Sequence, residues 1–186
     1  MSLTNLLVPT CKQMLLGLSG LLVSAQGQRR KAEAEGLLAS RLAPDMFPLA
    51  AQVRFACIQA QEMIYRLQDK PLPEGLGELA REAEGAGVRP GSISDAQGRI
   101  DETILLLEGL IDGRMDPAAD RLLQLKLPHG VTFELTGEQY ARDWLLPQFY
   151  FHVVTAYAIL RSQGVVLGKA EYVPHMFAYA RRDSLH

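Results

Sequence analysis

The sequence predicts an all-α fold of four long helices with one small β-hairpin between the third and fourth. Apolar residues recur at three- and four-residue steps over most of the chain, as they do on the buried face of a helix. Between residues 123 and 135 the period falls to two, which is typical of strands with one buried face. With 186 residues, 48% of them apolar and 22% charged, the chain fits one globular domain, residues 1–186.

The first predicted helix runs from Pro9 or Thr10 to about Glu35, with Gly36 just beyond its end. Pro9 suits a first turn, because its missing N–H would have no helical partner there. The core-facing positions are Leu15, Leu18 and Leu22. The apolar stretch is too short to span a bilayer and lacks a charged segment before it, so we expect neither a membrane anchor nor a secretory signal.

The segment RLAPDMFPL, residues 41–49, interrupts the helical pattern before the second helix. Asp45 is the predicted N-cap, since its carboxylate can accept from the free N–H groups of a first turn, and Pro48 is tolerated within that turn. The second helix extends to about Gln68. Its apolar stripe comprises Leu49, Val53, Cys57, Ala60, Ile64 and Leu67.

Residues 69–95 are rich in glycine and proline and predict a long connection with one short helix, from Glu78 to Glu84. The third helix is predicted to start at Ser94, where SDAQ matches a capping box, and to end near Gly113. Its inward positions are Ile100, Ile104, Leu107 and Ile111.

The predicted hairpin consists of LQLKL, residues 123–127, and VTFEL, residues 131–135. The residues PHG join them, with Gly130 supplying a positive φ angle and His129 placed at an exposed turn without a function.

The fourth helix is predicted to begin at Thr136, in the capping box TGEQ, and to end near Gln163 with Gly164 beyond it. Pro147 falls inside this helix. Because proline removes one backbone hydrogen bond and crowds the carbonyl four residues back, we expect a kink or break near Asp143.

Composition also bounds the function. Nineteen basic residues against twenty-one acidic ones give a formal net charge of −2, which argues against a nucleic-acid-binding protein. The two cysteines, Cys11 and Cys57, match no metal-type or CxxC spacing, so we expect reduced, mostly buried thiols in a cytoplasmic protein. Neither a nucleic acid nor a membrane is an expected partner.

Three segments resemble the signature segments of an uncharacterised bacterial family in the DinB/YfiT-like superfamily: RLAPDMFPL (41–49), LPHGVTFELTGEQY (127–140) and LPQFYFHVVTAYAILRSQGVVLGKAEY (146–172). The resemblance reaches to about Val173 and leaves 174–186 as a C-terminal tail. It implies a four-helix bundle with a long crossover connection and a cavity at one end. Many superfamily members bind a divalent metal there through three histidines, and some use it to activate a low-molecular-weight thiol.

This sequence departs from that histidine pattern. The second helix contains no histidine and the fourth contains only His152, while His175 and His186 lie in the tail. One imidazole cannot hold zinc or nickel tightly, because such sites need several converging donors. We therefore predict no resident metal; a metal site would need unexpected donors such as Asp45 or a tail histidine.

A narrow polar stripe crosses the otherwise apolar fourth helix. Gln148, His152 and Thr155 stand at i, i+4 and i+7, within an arc of about 60°. The second helix offers a matching set in Gln52 and Gln59, with Arg66 continuing the face, whereas Tyr150 and Tyr157 repeat on a different face of the fourth helix and either border the cavity or pack.

Three interpretations of His152 follow. It forms a structural hydrogen-bond network with Gln148 and Gln59; it lines a small-molecule pocket with Gln52, Gln59, Gln148, Tyr150 and Thr155; or it belongs to a metal site. Three functions stay open accordingly: a bundle that binds, or acts on, a small molecule near His152, a non-catalytic homodimeric interaction module, and a metal- and thiol-dependent transferase of the superfamily type. Whether the protein is an enzyme is left open.

Overall fold

A computed structural model describes residues 2–110, 114–127 and 130–181, and it confirms the helical bundle with one hairpin. The four long helices are α1 (Leu3–Gly27), α3 (Leu49–Leu67), α5 (Ile93–Glu108) and α7 (Leu146–Ser162). The shorter helices are α2 (Lys31–Gly36), α4 (Glu74–Gly85), α6 (Gly137–Gln139) and α8 (Lys169–Tyr172), and the strands are β1 (Leu122–Lys126) and β2 (Thr132–Thr136). Single-turn 3₁₀ segments cover Leu37–Ala39 and Asp116–Ala118, and a longer one covers Pro174–Tyr179.

Helix α3 lies at the centre of the bundle and packs on α4, α5 and α7. The apolar stripe predicted for it is buried along its whole length: Leu49, Val53, Cys57, Ala60, Ile64 and Leu67. The other long helices present leucine, isoleucine and phenylalanine side chains to the same core, for example Leu18, Ile100 and Phe149. Burial of these faces is what drives the helices together, because apolar area removed from water stabilises the fold roughly in proportion to its size.

Helix α1 is shorter at one end and longer at the other than the sequence predicts. It begins at Leu3, where the Ser2 hydroxyl accepts a hydrogen bond from the Asn5 N–H, and Pro9 lies exposed inside it. It ends at Gly27, and the side-chain amide of the C-cap residue Gln28 pairs with the backbone N–H and C=O of Val166, at 2.7 and 3.0 Å. The single helix expected to reach Glu35 is therefore wrong, and α2 is a separate element.

By length and composition, α1 is the one helix in the described ranges that could cross a membrane. In this fold 44% of its most apolar window is buried inside the protein, including Leu15, Leu18 and Leu22, the residues expected to face the core.

Two helix starts differ from the prediction. Pro48, not Asp45, is the N-cap of α3, and no side chain caps this end; Asp45 lies exposed in the preceding turn. The capping box of α5 is formed by Ser92 and Asp95, two residues before the predicted one at Ser94, and Gly91 turns the chain into it with a φ of +76°. The short helix expected at 78–84 is α4, which is longer at its N-terminal end. Helix α5 ends at Glu108, with Gly109 as its C-cap, so it is shorter than the helix expected to end near Gly113; Ile111 and Gly113 themselves lie outside the described residues.

The hairpin forms as predicted, shifted by one residue in each strand. The strands are antiparallel, with Leu123 opposite Leu135 and Leu125 opposite Phe133. Leu123 and Leu125 are buried, and Gly130 has a φ of +83°. His129 lies outside the described residues.

The fourth long helix is built in three pieces. The predicted capping box is confirmed: Thr136 and Gln139 exchange side-chain-to-backbone hydrogen bonds at the start of α6. A π-helical segment, Tyr140–Leu145, then leads into α7. This segment contains Asp143, where the sequence predicts an irregularity because Pro147 has no N–H to offer the carbonyl four residues back. Gly164, with a φ of +78°, follows the end of α7, and α8 and the last 3₁₀ segment pack on α1.

Candidate functional site

His152 lies on α7 in a cluster of three phenylalanine rings. Its imidazole stacks on the Phe55 ring, with the ring centroids 5.1 Å apart and the planes 26° apart. Phe151 meets it edge-on at 5.4 Å, and Phe47 packs edge-on against Phe55 at 5.0 Å. Phe47 and Phe151 are exposed whereas His152 and Phe55 are partly buried, so the cluster forms an aromatic surface that reaches solvent.

Gln52 holds the imidazole in one orientation. Its side-chain oxygen lies 2.8 Å from His152 Nδ1, and its amide nitrogen donates to the Phe47 carbonyl at 3.1 Å. Because that second bond requires an N–H, it fixes which end of the amide faces His152. A carbonyl oxygen only accepts, so Nδ1 must carry the proton. In the neutral imidazole Nε2 therefore holds the lone pair.

Burial keeps this imidazole neutral. It lowers the pKa of His152 from the ordinary 6.5 to about 4, because the charged form loses its hydration. Near pH 7 His152 thus presents Nε2 as a hydrogen-bond acceptor. Within the described chain no group donates to that nitrogen, so its acceptor capacity is free.

The remaining residues of the predicted stripe are placed as follows. Thr155 is buried and Gln148 is partly buried, and the Gln148 side chain forms no hydrogen bond with the described residues. The side-chain oxygen of Gln59 is buried and also has no hydrogen-bond partner among them. The network expected between His152, Gln148 and Gln59 is therefore replaced by one between His152, Gln52 and the Phe47 carbonyl.

The other polar residues of these faces have partners elsewhere. Arg66 pairs with Glu62 on its own helix at 3.1 Å. Tyr150 packs edge-on against Phe149, and burial raises the pKa of its hydroxyl; Tyr157 packs against Tyr172.

Sequence reasoning missed the three phenylalanines. Phe55 could have been found three residues after Gln52, a spacing that places both on one side of a helix. The contribution of Phe47 comes through its backbone carbonyl, which carries no signal in the sequence.

The described residues do not fit a metal centre. Over residues 2–110, 114–127 and 130–181, no group of three or more histidine, cysteine, aspartate or glutamate side chains is placed to hold an ion. His152 is the histidine of the fourth long helix, and its neighbours are phenylalanine rings and an amide. We therefore derive no chemistry through a metal, and the low metal content expected from the sequence stays a prediction.

Both cysteines are buried free thiols, as the sequence predicts. Burial raises the pKa of each to about 12, so neither is a thiolate near neutral pH. The cytoplasmic location inferred from them stays a prediction.

Comparison with known proteins places this chain in a family. No curated protein matches the chain. The crystal structure of a DinB family member protein from Shewanella denitrificans is similar, with a TM-score of 0.73 and 29% sequence identity over 92% of this chain and 91% of that one. Residues 3–173 match the model of the family described as "Domain of unknown function (DUF1993)". The chain belongs to this DUF1993 family and is a DinB-like helical bundle whose family has no assigned function.

Proposed function

We propose that the protein binds a small molecule on the aromatic surface formed by Phe47, Phe55, Phe151 and His152. The observation that carries the proposal is the fixed tautomer of His152. Gln52 occupies Nδ1 and leaves Nε2 as an acceptor with no partner in the described chain. Holding a half-buried imidazole in one tautomer is how a recognition site is prepared, since the ligand then meets a group that is already oriented.

The chemistry of these groups defines the ligand. A neutral imidazole with a free Nε2 lone pair accepts from an O–H or N–H group and gives no charge to pair with a carboxylate. The exposed rings of Phe47 and Phe151 offer apolar, flat contact area beside it. The ligand expected is therefore a small, uncharged molecule with an aromatic or apolar body and a hydroxyl or N–H donor.

Gln148 lies one helical turn from His152 on α7, and Gln59 lies two turns from Gln52 on α3. An unpaired buried carbonyl such as that of Gln59 costs about 1–3 kcal/mol of stability. Folding alone gives no reason to keep it, whereas a ligand with a second donor, or a bound water, would satisfy it.

The test uses three probes that share one ring. Phenol offers a donor, toluene has none, and benzoate carries a negative charge. We expect phenol to shift the ¹⁵N resonance of His152 Nε2 in a saturable way, toluene to perturb mainly the phenylalanine signals, and benzoate to do neither. Read from the phenylalanine ring signals, the affinity for phenol should fall to that for toluene in His152→Leu, whereas His175→Leu, a matched change in the tail, should leave it intact.

Two results would overturn the proposal. One is a His152 Nε2 resonance typical of a protonated nitrogen at pH 7, because the tautomer would then be wrong. The other is an unchanged affinity for phenol in His152→Leu, read from the phenylalanine ring signals, because a hydrogen bond to Nε2 would then contribute nothing to binding.

Self-association is a second candidate, favoured by one specific observation. Pro147, Phe151 and Val154 form an exposed apolar stripe at i, i+4 and i+7 on α7, with Phe151 54% and Val154 46% exposed. Contiguous apolar surface of this kind often marks an interface. Sedimentation equilibrium should show a dimer that Val154→Asp dissociates, while Val88→Asp, at a position 88% exposed on another surface, leaves it unchanged. A wild-type monomer at all concentrations would exclude this function.

The metal- and thiol-dependent transferase has no such support. It needs several donors around one ion, and the described residues do not bring them together.

A further inference from the structure

Arg54 is a charged side chain in the core-facing part of α3, with only 5% of its surface exposed. One guanidinium nitrogen, Nη1, donates to the Ala50 carbonyl at 3.0 Å, and Nη2 donates to the Pro90 carbonyl at 3.0 Å. The third nitrogen, Nε, is buried and has no hydrogen-bond partner among the described residues. A buried cation with an unused N–H is costly, and such residues persist when they have a role.

The nearest anion does not satisfy Arg54. Glu82 Oε2 lies 3.6 Å from Arg54 Nε, which is beyond hydrogen-bond range. The Glu82 carboxylate is instead held by Arg99, at 2.6 Å from Nη2 and 3.3 Å from Nε. One carboxylate thus serves two arginines and bonds to the more exposed one, so the buried guanidinium lacks a hydrogen-bonded counterion.

The backbone around Arg54 is shaped to the guanidinium. Gly91 adopts a φ of +76°, and a Cβ at this position would lie 2.9 Å from Arg54 Nη2 and 3.2 Å from Asp95 Oδ2. Only glycine combines that backbone conformation with so close an approach. Arg54 is therefore a fixed element of the structure rather than a side chain that happens to fold inward.

A groove of about 530 Å³ opens beside Arg54 along α4, lined by Arg54, Glu78, Arg81, Glu82, Gly85 and Arg89. Neither Arg81 nor Arg89 forms a hydrogen bond or ion pair with any described residue. The groove contains three arginines, and one of its two carboxylates, Glu82, is already bonded to Arg99 outside it. The result is a local excess of positive charge in a chain whose net charge is −2.

We propose that this groove binds a small phosphorylated molecule, with the phosphate held between Arg81, Arg89 and the Nε of Arg54. Guanidinium groups match the oxygens of a phosphate in geometry and charge, and an oxyanion that approaches Nε would supply the hydrogen bond that Glu82 does not make. Glu82 would turn fully to Arg99 and keep its own two bonds. This site is separate from the aromatic surface at His152 and does not depend on it.

Calorimetric titration with pyrophosphate, in chloride buffer at constant ionic strength, tests the proposal. We expect saturable binding, and at least tenfold weaker binding in Arg81→Ala and in Arg89→Ala, both exposed positions where the fold should be unaffected. Lys126→Ala removes the same charge from an exposed site on β1 and should leave binding unchanged. Malonate, a dicarboxylate, should bind less tightly than pyrophosphate.

Glu82→Gln gives a result that a merely structural role would not produce. Removing the competing carboxylate charge should tighten pyrophosphate binding several-fold, even if the variant is less stable because Arg99 loses its ion pair. Absence of saturable binding to the wild type at millimolar pyrophosphate would overturn the proposal. So would equal losses in Lys126→Ala and Arg89→Ala, or malonate binding as tight as pyrophosphate.

Discussion

The side-chain oxygen of Gln52 lies 2.8 Å from Nδ1 of His152, 100 positions later in the chain, and joins the first turn of α3 to α7. Gln52 is only 2% exposed, so water cannot replace either of its hydrogen bonds. The same amide therefore fixes a helix contact and the proton position on an imidazole.

Replacing Gln52 with Leu should destabilise the protein by about 1–3 kcal/mol, because the Nδ1–H of His152 and the Phe47 carbonyl both lose their partner. Gln59→Leu is the matched control, on the same helix seven residues away. The buried Gln59 oxygen has no partner among the described residues, so its removal should be neutral or slightly stabilising. Urea unfolding of both variants measures the difference; equal losses would contradict the hydrogen-bond assignment.

The stability of the protein should depend on His152 between pH 6.5 and about pH 4. In this window the unfolded chain binds a proton that the folded imidazole refuses, so the free energy of unfolding falls as the pH is lowered. Above pH 6.5 the imidazole is neutral in both the folded and the unfolded chain, so it causes no loss of stability. By pH 4 the free energy of unfolding has fallen by up to about 3 kcal/mol.

His152→Leu removes this titration. The free energy of unfolding of both proteins is measured by urea denaturation at pH 7.5 and pH 4.5. Relative to the variant, the wild type should be less stable at pH 4.5 than at pH 7.5. A constant difference would show that His152 titrates near its ordinary pKa. Comparing the two proteins cancels the carboxylates, which titrate in both.

Gly137 should tolerate no side chain. A Cβ there would lie 2.1 Å from the Ala118 carbonyl oxygen, and this backbone cannot move without releasing the hydrogen bonds from Gly137 N to Arg121 O and from Glu138 N to Ala119 O. We expect Gly137→Ala to cost about 1–3 kcal/mol or more. Gly20→Ala, where no atom lies within 4 Å, should instead stabilise α1 by about 0.5–1 kcal/mol. Thermal unfolding distinguishes the two, and a stable Gly137→Ala variant would contradict the packing described.

Arg121 should stabilise the end of α3. Its Nη2 donates to the carbonyls of Arg66 and Leu67, at 3.0 and 3.3 Å, and its Nη1 lies 3.1 Å from an Asp69 carboxylate oxygen. The last carbonyls of a helix lack helical partners, so Arg121→Ala should cost about 1–3 kcal/mol. Arg142→Ala, in an exposed ion pair with its neighbour Asp143, should produce no measurable loss in the same assay.

Much of the fold could be predicted from local chemistry. The stripe from Leu49 to Leu67, the capping box at Thr136 and the positive φ of Gly130 each depend on a few neighbouring residues, and all three are confirmed. The end of α1 could not be predicted in this way. At that end the Gln28 side chain pairs with Val166, 138 positions away, a contact that no local pattern encodes.

The candidate site shows the same division. Periodicity placed Gln148, His152 and Thr155 on one arc and Gln52 and Gln59 on another, because helical spacing alone determines a face. It could not determine which glutamine meets His152, since that depends on the axial offset of α3 against α7. Gln52 meets the imidazole, and Gln59, two turns further along, does not reach any described partner.

The pairing of α3 with α7 has a consequence for how the chain folds as it is made. Helix α4 and the β-hairpin find their partners within a few tens of residues, so these contacts can form early. The face of α3 that carries Gln52 must wait for His152, 100 residues later, which at ribosomal speeds is about 5–20 s. For that interval the central helix of the bundle has no α7 to cover it, and a long loop must then close to bring them together. Docking of α7 should therefore be a late step of folding, detectable as delayed protection of α7 amide protons in pulsed hydrogen exchange.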